Sequence, residues 1–259
     1  MVFCRSCVTG HGSLMTRFFV NRDNVGVGSI IIDDPGDVHH IRDVLRMKTG
    51  DEIVVSDSDT WEYRCSISAV GRTSVDAGIL DKQKFAGEPD VRITLFQGMP
   101  KKDKLELIVQ KATELGAAEI VPVFTGRTVV ARRENFGKKI ERLEKIALSA
   151  AKQCGRGKAP RIDPGMDLKE MPEVLKRFQV IIFPYENEDS RTIKEALRGI
   201  GRKPDEMAVI IGPEGGFAEE EALLLKNAGA ESVTLGNTIL RTETAGIAAL
   251  AMCMYELEL

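Results

Sequence analysis

Two segments near the C-terminus hold the residues best suited to chemistry. The first, VIIGPEGGFAEEE (209–221), runs an apolar strand into a turn of Gly212, Pro213, Glu214, Gly215 and Gly216 and then into a helix. Glycines there allow positive φ and close approach of backbone to a ligand, and Pro213 stiffens the turn. Ligands bind at strand ends of this kind in open α/β sheets, the plain alternative being a tight connection that binds nothing. A phosphate loop is disfavoured on two grounds. The pattern Gly-x-x-x-x-Gly-Lys-Ser/Thr is missing. In addition, Glu219, Glu220 and Glu221 occupy the first helical turn, where they offset the helix dipole and would repel an anion. The segment therefore asks for a ligand that is neutral or cationic at its reactive end. S-adenosylmethionine, with a positive sulfonium and no phosphate, meets that requirement.

The second segment, SVTLGNTILRTETAG (232–246), is a strand, a polar loop and a helix start. Loops at neighbouring strand ends build one pocket. Leu235 and Leu240 are apolar enough to flank an adenine, and Thr242, Glu243 and Thr244 open the final helix. Threonines at this position usually act only as caps. Arg241 is harder to assign to structure, because a helix N-terminus needs no cation; it points to an anion or a carbonyl. Glu243 is a candidate general base, with charge balance against the helix dipole as its alternative role. VIIFPYE (180–186), a buried strand ending in a proline turn, is consistent with a third wall.

Several elements must position these loops. Residues 15–82 read as short strands with alternating apolar and polar positions, TRFFV, GSIIID, DEIVVSD, TWEYRCSISAVG and TSVDAGIL, which suggests a small all-β barrel. A helix over 37–47 interrupts them, with Val38, Ile41, Val44 and Leu45 on one face and Arg42 and Arg46 on another, toward solvent or a partner. QKFAGEPD (83–90) reads as a linker, and the domain boundary is placed there. Beyond it five strands, RITLFQG, EIVPVF, VIIFP, MAVIIG and SVTLG, alternate with helices, so a mainly parallel sheet covered on both faces is expected over 83–259. In 104–115 Leu105, Ile108, Val109, Ala112 and Leu115 keep helical spacing, and Gly116 sits where a left-handed cap is wanted. From Ala245 to Tyr255 the last helix is apolar almost all round, so it should be buried on every side, in the core or against a second copy. A homodimer is the natural expectation.

Composition narrows the class. The 259 residues fit one large domain or two modest ones, and 43% hydrophobic with 29% charged residues describes a globular chain. No apolar run of eighteen residues and no signal-peptide layout is present. Cys4, Cys7, Cys65, Cys154 and Cys253 are odd in number and scattered, which suggests reduced thiols in the cytoplasm. Cys4, Cys7 and His11 could form part of a zinc site but lack a second ligand pair, so no metal is expected. Residues 1–14 read as a leader that is either disordered or not native to the protein. The net charge of −3 means that nucleic acid must be met by local patches. Lys101, Lys102 and Lys104 cluster in a loop after a strand, Arg156 lies in QCGRGK, and Arg17, Arg42 and Arg46 could extend a phosphate path over the small domain. For each, a solvated surface cation is the alternative.

Taken together, IGPEGGF (211–217) and LGNTILRTETA (235–245) resemble the signature of the SPOUT class of RNA methyltransferases, whose C-terminal loops form a trefoil knot around the cofactor. Within that class HHIRDVLRMKTGD (39–51), QGMPKKDKLELIVQKATELGA (97–117), GRTVV (126–130) and KQCGR (152–156) are similar to the family that methylates N3 of one uridine in 16S ribosomal RNA of the small subunit. The likeness runs from Arg17 to the C-terminus and departs at Thr238, where a basic residue would be expected. It implies a PUA-like barrel ahead of a knotted α/β domain, S-adenosylmethionine as cofactor, S-adenosylhomocysteine as product, and 16S RNA or the small subunit as partner. It further implies that Pro184, Tyr185, Glu186, Ile211, Gly212, Pro213, Glu214, Gly215, Gly216, Leu235, Gly236, Ile239, Leu240, Thr242, Thr244 and Ala245 hold the cofactor. Arg241 and Glu243 would act on the base, with Arg127 joining the RNA-contacting cations. Two other readings stay open: a non-catalytic RNA-binding or ribosome-assembly factor that keeps the fold, and a doubly wound nucleotide-binding enzyme.

Overall fold

The computed structural model describes residues 15–85, 87–126 and 136–258. The chain divides into two units, one comprising the residues up to Glu88 together with Ala151–Lys158, the other Pro89–Ala150 and Ala159–Leu259. The return of Ala151–Lys158 to the first unit has no counterpart in the linear division read from sequence. The leader, its Cys4, Cys7 and His11, and Arg127 lie outside the described residues.

In the first unit the five expected strands form one sheet. They are β1 (Arg17–Phe19), β2 (Ser29–Ile32), β3 (Glu52–Ser56), β4 (Trp61–Val70) and β5 (Val75–Lys84), ordered β1-β3-β4-β5-β2. Only β1 and β3 run parallel. Period-two alternation puts Ile30, Ile32, Ile53, Val55, Cys65 and Ile67 into one core. β5 continues through Gln83 and Lys84, two residues that the sequence suggested as linker.

The helix expected over 37–47 is corrected. α1 (Pro35–His39) widens at once into a π turn over His40–Val44. A wider turn advances less per residue, so the 3.6-residue stripe breaks after Ile41. Val38 and Ile41 are buried, whereas Val44 and Leu45 are 57% and 40% exposed.

In the second unit seven strands, two more than expected, form one sheet. Four are β6 (Arg92–Gly98), β7 (Glu119–Phe124), β8 (Arg161–Ile162) and β9 (Met166–Asp167); β10 (Val180–Pro184), β11 (Glu206–Ile211) and β12 (Glu231–Val233) follow. The order is β12-β10-β11-β6-β7-β8, with β9 also on β7, and every pairing is parallel. The extra strands are two residues long, too short to carry a periodic signal. β6 and β11 lie at the centre and are apolar on both faces, as buried parallel strands must be. Ile93, Leu95, Val209 and Ile211 face the cluster that includes α2 (Lys104–Glu114), part of α3 (Phe136–Cys154), α5 (Ile193–Arg198) and α7 (Thr242–Glu258). Phe96, Ala208 and Ile210 face α4 (Met171–Leu175) and α6 (Glu219–Asn227). The expected α/β architecture is therefore present.

Within a single chain α7 is not buried all round, the expectation having allowed for the core or a second copy as cover. Gly246, Ala249, Leu250 and Cys253 enter the core, while Met252 is 37% and Tyr255 70% exposed. Among the described residues no helix is long and apolar enough to cross a membrane. Among the described residues Cys65, Cys154 and Cys253 form no disulfide, and burial pushes Cys65 up to about 11 and Cys253 up to about 12.

Candidate functional site

Three loops leave the C-terminal ends of β10, β11 and β12 and wall a single cleft of about 790 Å³ in the second unit. Of the residues singled out for the cofactor, all but Thr244 line it: Pro184, Tyr185 and Glu186 from the first loop; Ile211 and Gly212 to Gly216 from the second; Leu235, Gly236, Ile239 and Leu240 from the third; and Thr242 and Ala245 at the start of α7. Thr244 is exposed outside that lining. The cleft also takes in Glu188, Asp189, Thr234, Asn237 and Thr238, which the sequence reading had not singled out for the site.

Local chemistry explains each wall. Gly216 has φ +64°, and a Cβ there would run into the Glu186 carboxylate, so this glycine seats an acidic side chain against the turn. Gly98, at the end of β6, packs on the Gly212–Pro213 peptide so closely that a Cβ would meet Pro213 N at 2.5 Å. Tyr185 stacks on Phe183 with ring centroids 5.3 Å apart. The N-terminus of α6 is closed by its own sequence: Glu221 accepts from the N–H groups of Ala218 and Gly126, both at 2.8 Å. The preference for a non-anionic ligand thus has a structural basis, because Glu221 occupies one of the orphan donors and its carboxylate, with those of Glu219 and Glu220, sits at the helix start.

The electrostatics are acidic with one internal cation. Lys104 Nζ lies 3.2 Å from Glu214 and 3.1 Å from Glu243. Glu243 and then Glu214 hold the lysine above its ordinary pKa. Burial pushes Glu214 up, but the Lys101 N–H, its own N–H and Lys104 together leave it below the ordinary carboxylate value. Glu243 is also held below that value, first by its own backbone N–H and then by Lys104. Hydroxyls of Ser190 and Ser232 bring Glu188 down to about 2. The cleft so presents fixed negative charge through the neutral range, which suits a cationic ligand.

Arg241 is exposed at the cleft, and no carboxylate forms an ion pair with it among the described residues. Thr242 does not serve as a simple cap. Its Oγ1 donates to the Gly212 carbonyl at 2.5 Å and accepts from Gln97 Nε2 at 2.8 Å. Gln97 is a residue that type and spacing alone do not single out; the available signal is a polar side chain near the end of a strand buried from Ile93 onward.

The basic residues separate into two groups. Lys101 and Lys102 are exposed, and so are Arg42 and Arg46 in the first unit. Arg42 pairs with Asp43 at 2.6 Å and donates to the Arg72 carbonyl. Lys104 is engaged as described. In the first unit Arg17 is buried against Glu62 at 2.6 Å, and Arg156 against Glu88 at 2.7 Å. The expected phosphate path does not pass over those two arginines as placed, since a nearby carboxylate holds each guanidinium below the surface.

A parallel α/β sheet with one acidic, glycine-lined cleft at its strand ends defines a small-molecule-binding α/β enzyme fold. Residues 87–254 match the family model for an RNA methyltransferase domain, and residues 32–80 that for an RNA methyltransferase PUA domain. The chain belongs to this RNA methyltransferase family. It is 35% identical over 86% of its length to the ribosomal RNA small subunit methyltransferase E of Bacillus subtilis, covering 89% of that protein. The protein of the same description from Mesomycoplasma hyopneumoniae is 31% identical over 93% of this chain and 100% of its own. Among solved structures, a ribosomal RNA small subunit methyltransferase E from Neisseria gonorrhoeae bound to S-adenosyl methionine superposes with a TM-score of 0.79. It is 29% identical, covering 93% of this chain and 97% of that one.

Proposed function

We propose that this chain is an S-adenosylmethionine-dependent methyltransferase that methylates N3 of a uridine in 16S ribosomal RNA of the small subunit. The observation that carries the reading is the cleft itself: a glycine-rich turn, an acidic loop and a loop carrying Leu235 and Leu240 meet where Arg241 stands exposed, two residues ahead of Glu243. Its donors and shape fit the cofactor. Leu235 and Leu240 offer apolar walls for an adenine, the turn at Gly212–Gly216 offers backbone groups, and the carboxylates favour a cation. When bound, the cofactor supplies a methyl group on a positive sulfur, open to in-line attack.

The chain's own residues then handle the base. Uridine N3 must lose its proton as the N–C bond forms, which places negative charge on the neighbouring carbonyl oxygens. Arg241 stabilises that charge, an electrostatic contribution that is often the largest in catalysis. Glu243 is the second candidate, as proton acceptor. Lys104 keeps it ionised, the state a base starts from, while lowering its basicity. The trefoil threading of the C-terminal loops belongs to the same reading.

RNA would be met by the exposed cations Lys101 and Lys102 and, on the PUA domain, Arg42 and Arg46. The exposed stripe of α7 with Met252 and Tyr255 would be covered by a second copy of the chain, giving a homodimer. A ribosomal substrate implies a cytoplasmic enzyme. Arg241→Ala should keep S-adenosylhomocysteine binding by calorimetry and lose methyl transfer; undiminished turnover removes Arg241 from the mechanism. Mass spectrometry of small-subunit RNA from cells lacking this protein should find one uridine methyl missing.

A further inference from the structure

Gln97, near the C-terminal end of β6, has no solvent exposure and lies behind the cleft rather than in its lining. Its amide orientation follows from its neighbours. The Gly98 carbonyl, 3.0 Å away, can only accept, so the atom facing it is Nε2. The second hydrogen of that nitrogen goes to Thr242 Oγ1 at 2.8 Å, which forces the hydroxyl to donate onward to the Gly212 carbonyl at 2.5 Å. Oε1 is left without a hydrogen-bond partner among the described residues, turned toward Gly246, where a Cβ would sit 3.2 Å from it. An unsatisfied buried carbonyl is costly and rarely kept without a reason.

We propose that Gln97 is a positioning residue: its amide sets the donor direction of Thr242 and thereby fixes the Gly212–Gly216 turn against the start of α7, where Arg241 and Glu243 are carried. One side chain so ties together the end of β6, the glycine-rich turn and the final helix. Gly98 assists by its close approach to the Gly212–Pro213 peptide. Polarity matters more than volume in this relay. A carboxylate at 97 would accept from the Thr242 hydroxyl, turn it away from Gly212 and leave that carbonyl without its donor.

The inference rests on the methyltransferase reading of the cleft, and its test separates the two. Gln97→Glu, Gln97→Met, Thr242→Val and Thr242→Ser are compared with wild type by amide hydrogen exchange of Gly212 and Glu214–Gly216 in ligand-free protein, and by calorimetry with S-adenosylhomocysteine. In Gln97→Glu, Gln97→Met and Thr242→Val, exchange of the turn should quicken at least tenfold while the strands of the sheet stay protected, and affinity should fall at least tenfold. Thr242→Ser, which keeps the hydroxyl, should restore most of the exchange protection of the turn that Thr242→Val loses. The double variant Gln97→Met with Thr242→Val should be no worse than the poorer single one, as residues acting as a unit are. Unchanged exchange in the turn, or additive losses, would overturn the role of Gln97. Wild type that fails to bind S-adenosylhomocysteine would instead overturn the reading of the cleft, and the exchange comparison would still decide the relay.

Discussion

Lys104 at the start of α2 and Glu243 in the first turn of α7 meet at 3.1 Å, so a lysine whose sequence context suggested a phosphate contact is the counter-ion inside the cleft. Glu214 joins the same ammonium from the glycine-rich turn, and the Lys101 N–H donates to it at 2.9 Å.

Lys104→Met should therefore weaken S-adenosylhomocysteine binding more than RNA binding. Without the ammonium, Glu214 and Glu243 lose a stabiliser of their charged forms, and both pKa values rise toward or past the ordinary carboxylate value. The acid limb of the methyl-transfer profile should shift to higher pH than in wild type. Parallel pH–rate profiles and RNA titrations check this; an unshifted limb with selectively weakened RNA binding would return Lys104 to the phosphate path.

Gly216→Ala should add the displacement of one cleft side chain to its backbone cost. A left-handed φ costs a residue with a Cβ about 1–2 kcal/mol, and here the methyl also displaces Glu186. Gly229 has φ +91° but open space around its Cβ position, so Gly229→Ala carries the backbone cost alone. Thermal melting should fall by a similar amount for both, because the exposed Glu186 side chain can swing aside, whereas S-adenosylhomocysteine affinity should fall modestly, and only for Gly216→Ala. Equal affinities in the two variants would refute the seating of Glu186.

Glu188 contributes stability that depends on pH in a stated direction. Its folded value is about 2 against an ordinary 4.5, because the hydroxyls of Ser190 and Ser232 donate to the carboxylate. The contribution is full above the unfolded value and is lost as pH falls through the folded one. Glu188→Gln should cost about 1–2 kcal/mol at neutral pH, and the melting gap to wild type should close between about pH 5 and pH 2. A gap that stays constant through that window would rule out the carboxylate as its source.

The arginines of the first unit should divide by burial. Arg156→Ala breaks a buried pair and leaves Glu88, which also accepts from the N–H groups of Gly157 and Lys158, without its guanidinium; melting should drop by several degrees. Reversing Arg42 and Arg46 to Glu touches only exposed positions and should leave melting nearly unchanged. RNA affinity should fall in the reversed variant, with a salt slope reduced by about 2. An unchanged slope would return both arginines to the solvated face.

What could be read from the residues alone was whatever is local. Period-two runs located the five strands of the first unit, continuous apolar runs five of those in the second, 3.6-residue spacing located α2, and Gly116 with φ +89° stands where the cap was expected. The turn at Gly212–Gly216 and the loop before α7 were legible because glycine, proline and a lone arginine mark backbone freedom and charge without reference to distant partners. Where a partner lies far along the chain, type and spacing carried no signal. Lys104 could not be separated from a surface lysine before α2 met α7, nor Arg17 and Arg156 from phosphate readers before Glu62 and Glu88 closed on them. Val44 and Leu45 changed sides because a π turn altered the angular step, and Gln97 gained meaning only when β6, the glycine turn and α7 packed at one point. Dihedral preference and periodicity are properties of neighbouring residues, whereas ion pairing and hydrogen-bond direction depend on which groups the folded chain brings within about 3 Å of one another.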